Sequence, residues 1–263
     1  MKIVSWNCAG KFREDYEEIF KQNADIYVIP ECEDPDEDLP KYKKYLEGVG
    51  ENHRWAGNIH YKGLGIFAKK GVTLEDIELN GKCEHFLAVR VNNSFNLLAV
   101  WAMGKDKEKG LNPYVEMIHD FLDDNKDNKK LFDGGTIIMC GDFNSSHVFN
   151  GHHKTKDNNG DPKNHDCLNK KLNDFGLFSV YHELTKEKSG EETKMTFFQA
   201  RHLNDPYHLD YVFTNKELID NTTFTKNGKK VKKGLPNEFE ILDKGEWITL
   251  SDHLPLVFKF DLK

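Results

Sequence analysis

Thr136-Ile137-Ile138-Met139-Cys140-Gly141-Asp142-Phe143-Asn144 is an apolar run that ends on a glycine, a carboxylate and an amide. An apolar run of this length, bounded by turn residues, is the pattern of a strand covered on both faces. Its end sets Asp142 and Asn144 two residues apart, on one face if the chain stays extended. One of them can then accept a proton or orient water while the other donates a hydrogen bond to a phosphoryl oxygen. A turn that uses Gly, Asp and Asn for their loop preferences is the other reading of the same residues.

The construction recurs along the chain. Trp6-Asn7 closes the run that begins at Lys2, and Pro30-Glu31 closes Asp25-Ile26-Tyr27-Val28-Ile29. Trp101 lies at a further strand end, His208-Leu209-Asp210-Tyr211 opens another strand, and Ser251-Asp252-His253 precedes the alternating Leu256-Val257-Phe258-Lys259-Phe260. A set in which every member abuts an apolar run points to a pocket assembled from strand ends and rich in oxygen ligands. Such a pocket suits a hard divalent cation. Glu31 can hold a cation there without full burial, with the Asn7 amide oxygen as a neutral second ligand. Alone, Glu31 reads equally as a turn residue, because Glu33 and Asp34 follow it. Of the 12 histidines, His253 is the best acid/base candidate, since imidazole titrates nearest neutrality. Asp210 is a carboxylate inside an otherwise apolar strand, where Asp is disfavoured, and is the candidate to orient His253. A histidine that merely caps or turns the chain is the alternative for His253.

Strands are expected over 2–7, 25–31, 63–69, 86–92, 95–103, 136–142, 209–214 and 254–260. Helices are expected over 14–23, over 113–124 with Asn112 as N-cap and Pro113 at the first position, and over about 165–175, ending at Gly176. Many strands are adjacent and outnumber the helices. That pattern predicts two packed sheets with helices outside rather than a doubly wound parallel sheet. No linker or repeat divides the chain, and the first and last motifs need each other, so residues 1–263 are expected to form a single domain. Residues 147–166 carry four histidines without regular ligand spacing and read as a solvated loop or a metal tract. Residues 226–233 read as a basic hairpin-like turn, solvated or in contact with phosphate.

The net charge of −7 lowers the expectation of duplex binding, which usually accompanies a basic balance. Five cysteines without a CxxC pair, three of them (Cys8, Cys32, Cys140) in strand-like runs, read as buried free thiols in a reducing compartment. No apolar stretch approaches the length of a membrane helix. A cytoplasmic protein with no membrane contact is expected. No protein partner is evident, and a monomer is expected.

The strand-end motifs, in this order and spread over residues 2 to 260, resemble the endonuclease/exonuclease/phosphatase superfamily. Its members include pancreatic-type deoxyribonucleases, exonuclease III-like apurinic endonucleases, inositol polyphosphate 5-phosphatases and neutral sphingomyelinases. Gly141-Asp142-Phe143-Asn144 and Ser251-Asp252-His253-Leu254-Pro255 are the most specific pieces. SWNCAGKF (5–12), VIPECEDP (28–35), NIHYKGLGIF (58–67), LAVWAMG (98–104), TFF (196–198), YHLDYVF (207–213) and SDHLPLVF (251–258) are similar to segments of small bacterial members.

The resemblance implies an α+β fold, a four-layer αββα sandwich of two mostly antiparallel sheets. It implies Glu31 as the principal ligand of Mg²⁺ or Mn²⁺, with Asn7 and Asp252 nearby. Asp142 would position or activate the attacking water, Asn144 would contact phosphate, and His253 would pair with Asp210. Two departures stand out. Trp101 occupies a position that commonly holds Tyr or His, and an indole cannot accept or relay a proton. His60 or Tyr61 is a substitute close in sequence to Lys62. Pro30 precedes the glutamate where repair nucleases usually carry Gln.

The expected activity is divalent-metal-dependent hydrolysis of a P–O bond by in-line water attack. Nucleic acid is the first substrate class, with Lys62, Arg201, His60, His208 and Trp101 as substrate contacts. A small phosphorylated metabolite, such as a nucleotide or inositol phosphate, is the alternative. A catalytically inactive binding protein would lack Glu31, Asp142 or His253, and all three are present.

Overall fold

The alternation of buried side chains along each strand builds the molecule. In Phe95–Trp101, Leu97, Ala99 and Trp101 face one apolar cluster while Leu98 and Val100 face another. In Ile137–Asp142, Ile138 and Cys140 face the first cluster while Ile137 and Met139 face the second. Val212 is divided from Tyr211 and Phe213 in the same way. These strands are therefore covered on both sides, which is why their sequence is continuously apolar rather than alternating.

This is a computed structural model, describing residues 1–38, 40–82, 84–103, 114–133, 135–153, 155–226, 229–231, 234–242 and 245–262. Two large mixed sheets pack face to face with helices around them. One has eight strands in the order Lys229–Lys230, Thr222–Lys226, Asn237–Ile241, Leu256–Lys259, Lys2–Ser5, Ile26–Cys32, Lys62–Ala68 and His53–Ile59. The other has six, in the order Leu74–Asp76, Phe86–Val91, Phe95–Trp101, Ile137–Asp142, Asp210–Asn215 and Leu177–Ser179. Most pairings are antiparallel; Lys2–Ser5 with Ile26–Cys32, Phe95–Trp101 with Ile137–Asp142, and Thr222–Lys226 with Asn237–Ile241 are parallel. Helix Phe12–Phe20 makes the first crossover, burying Phe12, Tyr16 and Ile19. Helix Val115–Asn125 makes the second, burying Ile118, Phe121 and Leu122. Its expected N-cap, Asn112, and Pro113 lie outside the described residues.

The third expected helix forms over His165–Asp174 and stops before Gly176, whose φ of +74° suits glycine. The eight expected strands form with ends shifted by up to two residues. Others were not legible. His53–Ile59 is a half-exposed edge strand of mixed polarity, and Thr222–Lys226 buries three threonines where the eye looks for aliphatics. Residues 147–166 become a 3₁₀ turn, His147–His152, and the start of the third helix. Their histidines take separate partners: His147 faces Asp166, His153 faces Glu116, and buried His165 faces Ser145. Thr222–Lys226 pairs antiparallel with Lys229–Lys230, and Lys226, Lys229 and Lys230 are exposed, while residues 227, 228, 232 and 233 of the basic segment lie outside the described residues. Cys8, Cys32 and Cys140 are buried free thiols, and no described helix is long and apolar enough to cross a membrane.

Candidate active site

The ends of four strands, Lys2–Ser5, Ile26–Cys32, Ile137–Asp142 and Asp210–Asn215, and the loop 251–253 carry the candidate residues. Gly141 lies near the end of Ile137–Asp142 with φ +145°, and a Cβ there would meet the Val100 carbonyl oxygen at 1.9 Å. Only glycine fits, and the strand continues through it to deliver Asp142 fully buried. Asp142 Oδ2 accepts from Asn7 Nδ2 at 2.9 Å and from Asn144 Nδ2 at 2.8 Å. Its Oδ1 accepts from the Asn144 backbone N–H at 2.9 Å. Asn144 sits in the left-handed region, φ +45°, which asparagine tolerates. Its amide also donates to the Ala102 carbonyl at 2.7 Å, so both amide protons are engaged within the protein. Asn144 is thus built to fix Asp142, and a donated hydrogen bond to phosphate would require it to let go. The Asn7 amide faces Asp142 through its nitrogen, while its oxygen accepts from the Ala9 N–H at 3.0 Å. That bond uses one of the two lone pairs of the oxygen.

Asp210 and Asp142 are direct partners in the antiparallel ladder. Asp210 Oδ2 takes a 2.9 Å hydrogen bond from His253 Nδ1, leaving Nε2 as the remaining ring nitrogen. The imidazole is held on several sides. Its backbone N–H donates to Ser251 Oγ at 3.0 Å, and that hydroxyl donates to the Asn7 carbonyl at 2.7 Å. Trp6 Nε1 donates to the His253 carbonyl at 3.1 Å, and the Phe197 ring lies 4.7 Å away. Thr196 Oγ1 accepts from the backbone N–H groups of Leu209 and Asp210. Sequence reading did not assign Thr196, Ser251 or Phe197; the Ser-x-His turn is the one local signal that was available.

Burial raises the Asp142 carboxyl above its usual range, opposed by His253 and reinforced by Asp210. Burial alone would lower His253, but the Asp210 and Asp142 carboxylates beside it raise it instead. The trio Asp142, Asp210 and His253 presents ligand atoms all within 4.8 Å of one another. Among the described residues it is the one such His/Cys/Asp/Glu group, and it differs from the expected ligands Glu31, Asn7 and Asp252. Its members are already hydrogen-bonded to one another or to amides, which suits proton handling.

Glu31 suits a cation. It is the extra residue of a β-bulge, at φ +65°, between Pro30, opposite Leu64, and Cys32, opposite Gly63. A bulge re-aims a side chain out of the strand's alternation. The Glu31 side chain stays 21% exposed, and its Oε2 holds the Lys62 ammonium at 3.0 Å. A positive charge thus already stands in where an oxygen-ligated cation would sit. Asp252 is half-buried and its carboxylate adds to the upward pull on His253.

The remaining expected contacts divide. Trp101 is buried, edge-on to His85, with Lys62 over its face. His60 and Tyr61 are exposed at the turn of the hairpin that carries Lys62. His208 and Arg201 have partners within the protein. His208 is not a rim residue: its ring is buried against Tyr181 and Tyr211, and its Nδ1 meets the Lys194 carbonyl at 2.7 Å. Arg201 aims two donors at the Thr249 and Leu250 carbonyls, at the end of helix Gly245–Leu250. It caps the helix that leads into Asp252.

Beside Asn144 opens a pocket of about 470 Å³, walled by Tyr114, Phe149, Phe197, Tyr207 and Leu209. Phe149 brings part of the 147–166 segment to this wall.

A family model described as the Endonuclease/Exonuclease/phosphatase family matches residues 4–253. The chain belongs to the endonuclease/exonuclease/phosphatase family, whose activity is hydrolysis of phosphate esters. Solved structures agree in fold over the full length of both chains. An AP endonuclease from Archaeoglobus fulgidus has TM-score 0.64 at 15% identity. A 3'-5' exonuclease from Neisseria meningitidis has 0.62 at 17%. A Neisseria 3' phosphatase bound to product DNA hairpin has 0.60 at 17%. No curated protein matches the sequence.

Proposed function

We propose that this phosphoesterase is a divalent-metal-dependent nuclease that cleaves a P–O bond by in-line attack of water. The observation that carries the reading is the buried His253–Asp210 pair closing on Asp142, 2.9 Å at its hydrogen bond. A histidine held on one nitrogen by a carboxylate offers the other to a reacting group. Asp142, raised by burial, is suited to take a proton from the attacking water, with Asn7 and Asn144 holding it in place. His253, kept charged by its two carboxylates, is suited to face a phosphoryl oxygen that gains negative charge. Glu31 would hold Mg²⁺ or Mn²⁺, with Asp252 as a second carboxylate. Such an ion, when bound, polarises the phosphoryl oxygen and offsets its charge. The aromatic pocket beside Asn144 supports a substrate that carries a base or sugar next to the scissile phosphate.

The net charge of −7 favours a second reading, a phosphatase or phosphodiesterase of a small phosphorylated metabolite. The test is hydrolysis of a panel with Mg²⁺ or Mn²⁺ and with chelator. The panel holds single- and double-stranded DNA, abasic duplex, RNA, nucleotides, inositol phosphates and bis-p-nitrophenyl phosphate. Metal-dependent cleavage of polymer is expected; turnover confined to small esters would replace the nuclease reading with the second.

A further inference from the structure

Lys62 stands at the first pair of the hairpin His53–Ile59/Lys62–Ala68, opposite Ile59. From there its four-carbon stem reaches over to the neighbouring strand. The ammonium contacts Glu31 Oε2 at 3.0 Å and lies 5.5 Å above the Trp101 ring. The second contact uses the residue by which this chain departs most from expectation. An indole face attracts an ammonium, so Trp101 and the bulged Glu31 together make a seat for one positive charge. The Lys62 side chain is 38% exposed and free to swing outward.

An oxygen-bound divalent ion sits roughly 2.0–2.6 Å from its carboxylate ligand. An ammonium 3.0 Å from the same oxygen would then be within strong repulsion of a double charge. The two cations exclude each other at Glu31. We propose that Lys62 is a tethered cation that occupies the Glu31 seat, yields it to the divalent ion, and passes to the substrate phosphate. This rests on Glu31 as the metal seat. It makes Lys62 a positioning residue with two stations: it weakens metal binding alone and couples metal binding to the arrival of an anion. By linkage, phosphate then tightens the metal as much as metal tightens phosphate.

The experiment is Mn²⁺ binding followed by the EPR signal of the free ion, with no substrate present. The proteins are wild type, K62M and E31Q, each checked for fold by circular dichroism. We expect E31Q to lose Mn²⁺ and K62M to bind it about 3- to 10-fold more tightly, through loss of a competing pair and of charge repulsion. A K62M affinity equal to or weaker than wild type, with E31Q still defective, overturns the tethered cation and leaves the metal seat standing. Wild-type affinity in E31Q, or no Mn²⁺ binding in any of the three proteins, overturns the seat and the inference with it. Repeating the titration with inorganic phosphate tests the second station. Phosphate should tighten Mn²⁺ more in wild type than in K62M, and equal tightening overturns the transfer to phosphate.

Discussion

Asp142 and Asp210 stand directly opposite each other on one rung of an antiparallel ladder, with His253 closing on both. Two like charges directly opposite one another are destabilising, and burial sharpens the cost. A charged imidazole between them relieves it, which is the physical reason His253 is raised despite its burial. Removing one carboxylate should therefore change the histidine first. In Asp210→Asn the fold should persist, while turnover falls by roughly 10²–10⁴-fold, the usual scale of acid–base assistance. The basic limb of the pH–rate profile should move down toward neutral pH as His253 drops toward an ordinary imidazole. Turnover within a few-fold of wild type would remove Asp210 from the mechanism.

Asp142→Asn tests the other side of the rung. The side chain keeps its size, yet it no longer offers a carboxylate to water. Turnover should drop by about 10²–10³-fold while the melting temperature stays within a few degrees. A large loss of stability with proportionate loss of activity would mean that Asp142 serves the fold rather than the reaction.

Gly141 links the apolar core to that carboxylate. A methyl group in Gly141→Ala meets a backbone carbonyl, at a φ that L residues rarely adopt, so no flexible side chain can give way. Overpacking costs about 1–3 kcal/mol, or a melting temperature lower by roughly 2–12 °C in a chain of this size. An unchanged melting temperature would show that the strand end can shift without penalty.

Much of this architecture was legible because strand ends carry their signals locally. Thr136–Cys140 is apolar on both faces and Gly141 ends the apolar run, so Asp142 could be placed from nine residues. Glu31 was legible as a strand end but its bulge was not, since a bulge exists only in register with Leu64 and Gly63, over 30 residues away. The same non-local register hid the Lys62–Glu31 pair. His208 misled because a histidine two residues from Asp210 suggests the site, whereas the short strand Pro206–Tyr207 and the Lys194 carbonyl turn its ring into the core. The hydroxyls of Thr196 and Ser251 act on backbone groups far away in sequence, so their motifs were visible while their roles were not.

Acid should unfold the protein through its buried histidines. Burial lowers His165 to about 3 and His208 to about 4, against 6.5 for a free imidazole. Below pH 6.5 the unfolded chain takes up protons that the folded chain refuses, so stability falls with pH until about 3 to 4. Each unit of difference corresponds to about 1.4 kcal/mol. His165→Gln, which retains polar contact with Ser145 Oγ and Asn169, should flatten that slope in urea melts at pH 4 to 7. An identical slope in the variant would clear His165 of the effect.

The aromatic pocket separates substrate recognition from chemistry. Tyr207 lies 5.0 Å from Phe149 and 6.3 Å from Phe197, and Phe197 lies 4.7 Å from His253. A base or sugar seated there would be next to the reacting centre without touching Asp142 or Asp210. Stacking on an aromatic side chain is worth about 1–3 kcal/mol per base, which translates into roughly 5- to 150-fold in affinity. Tyr207→Ala should accordingly raise KM for an oligonucleotide by that factor and leave kcat within a few-fold. The same variant should hydrolyse a dialkyl phosphate diester nearly as wild type does, because that ester carries no ring to stack. Equal losses on both substrates would assign Tyr207 to the support of Phe197 and His253, and unchanged KM on both would place the substrate elsewhere on the cleft.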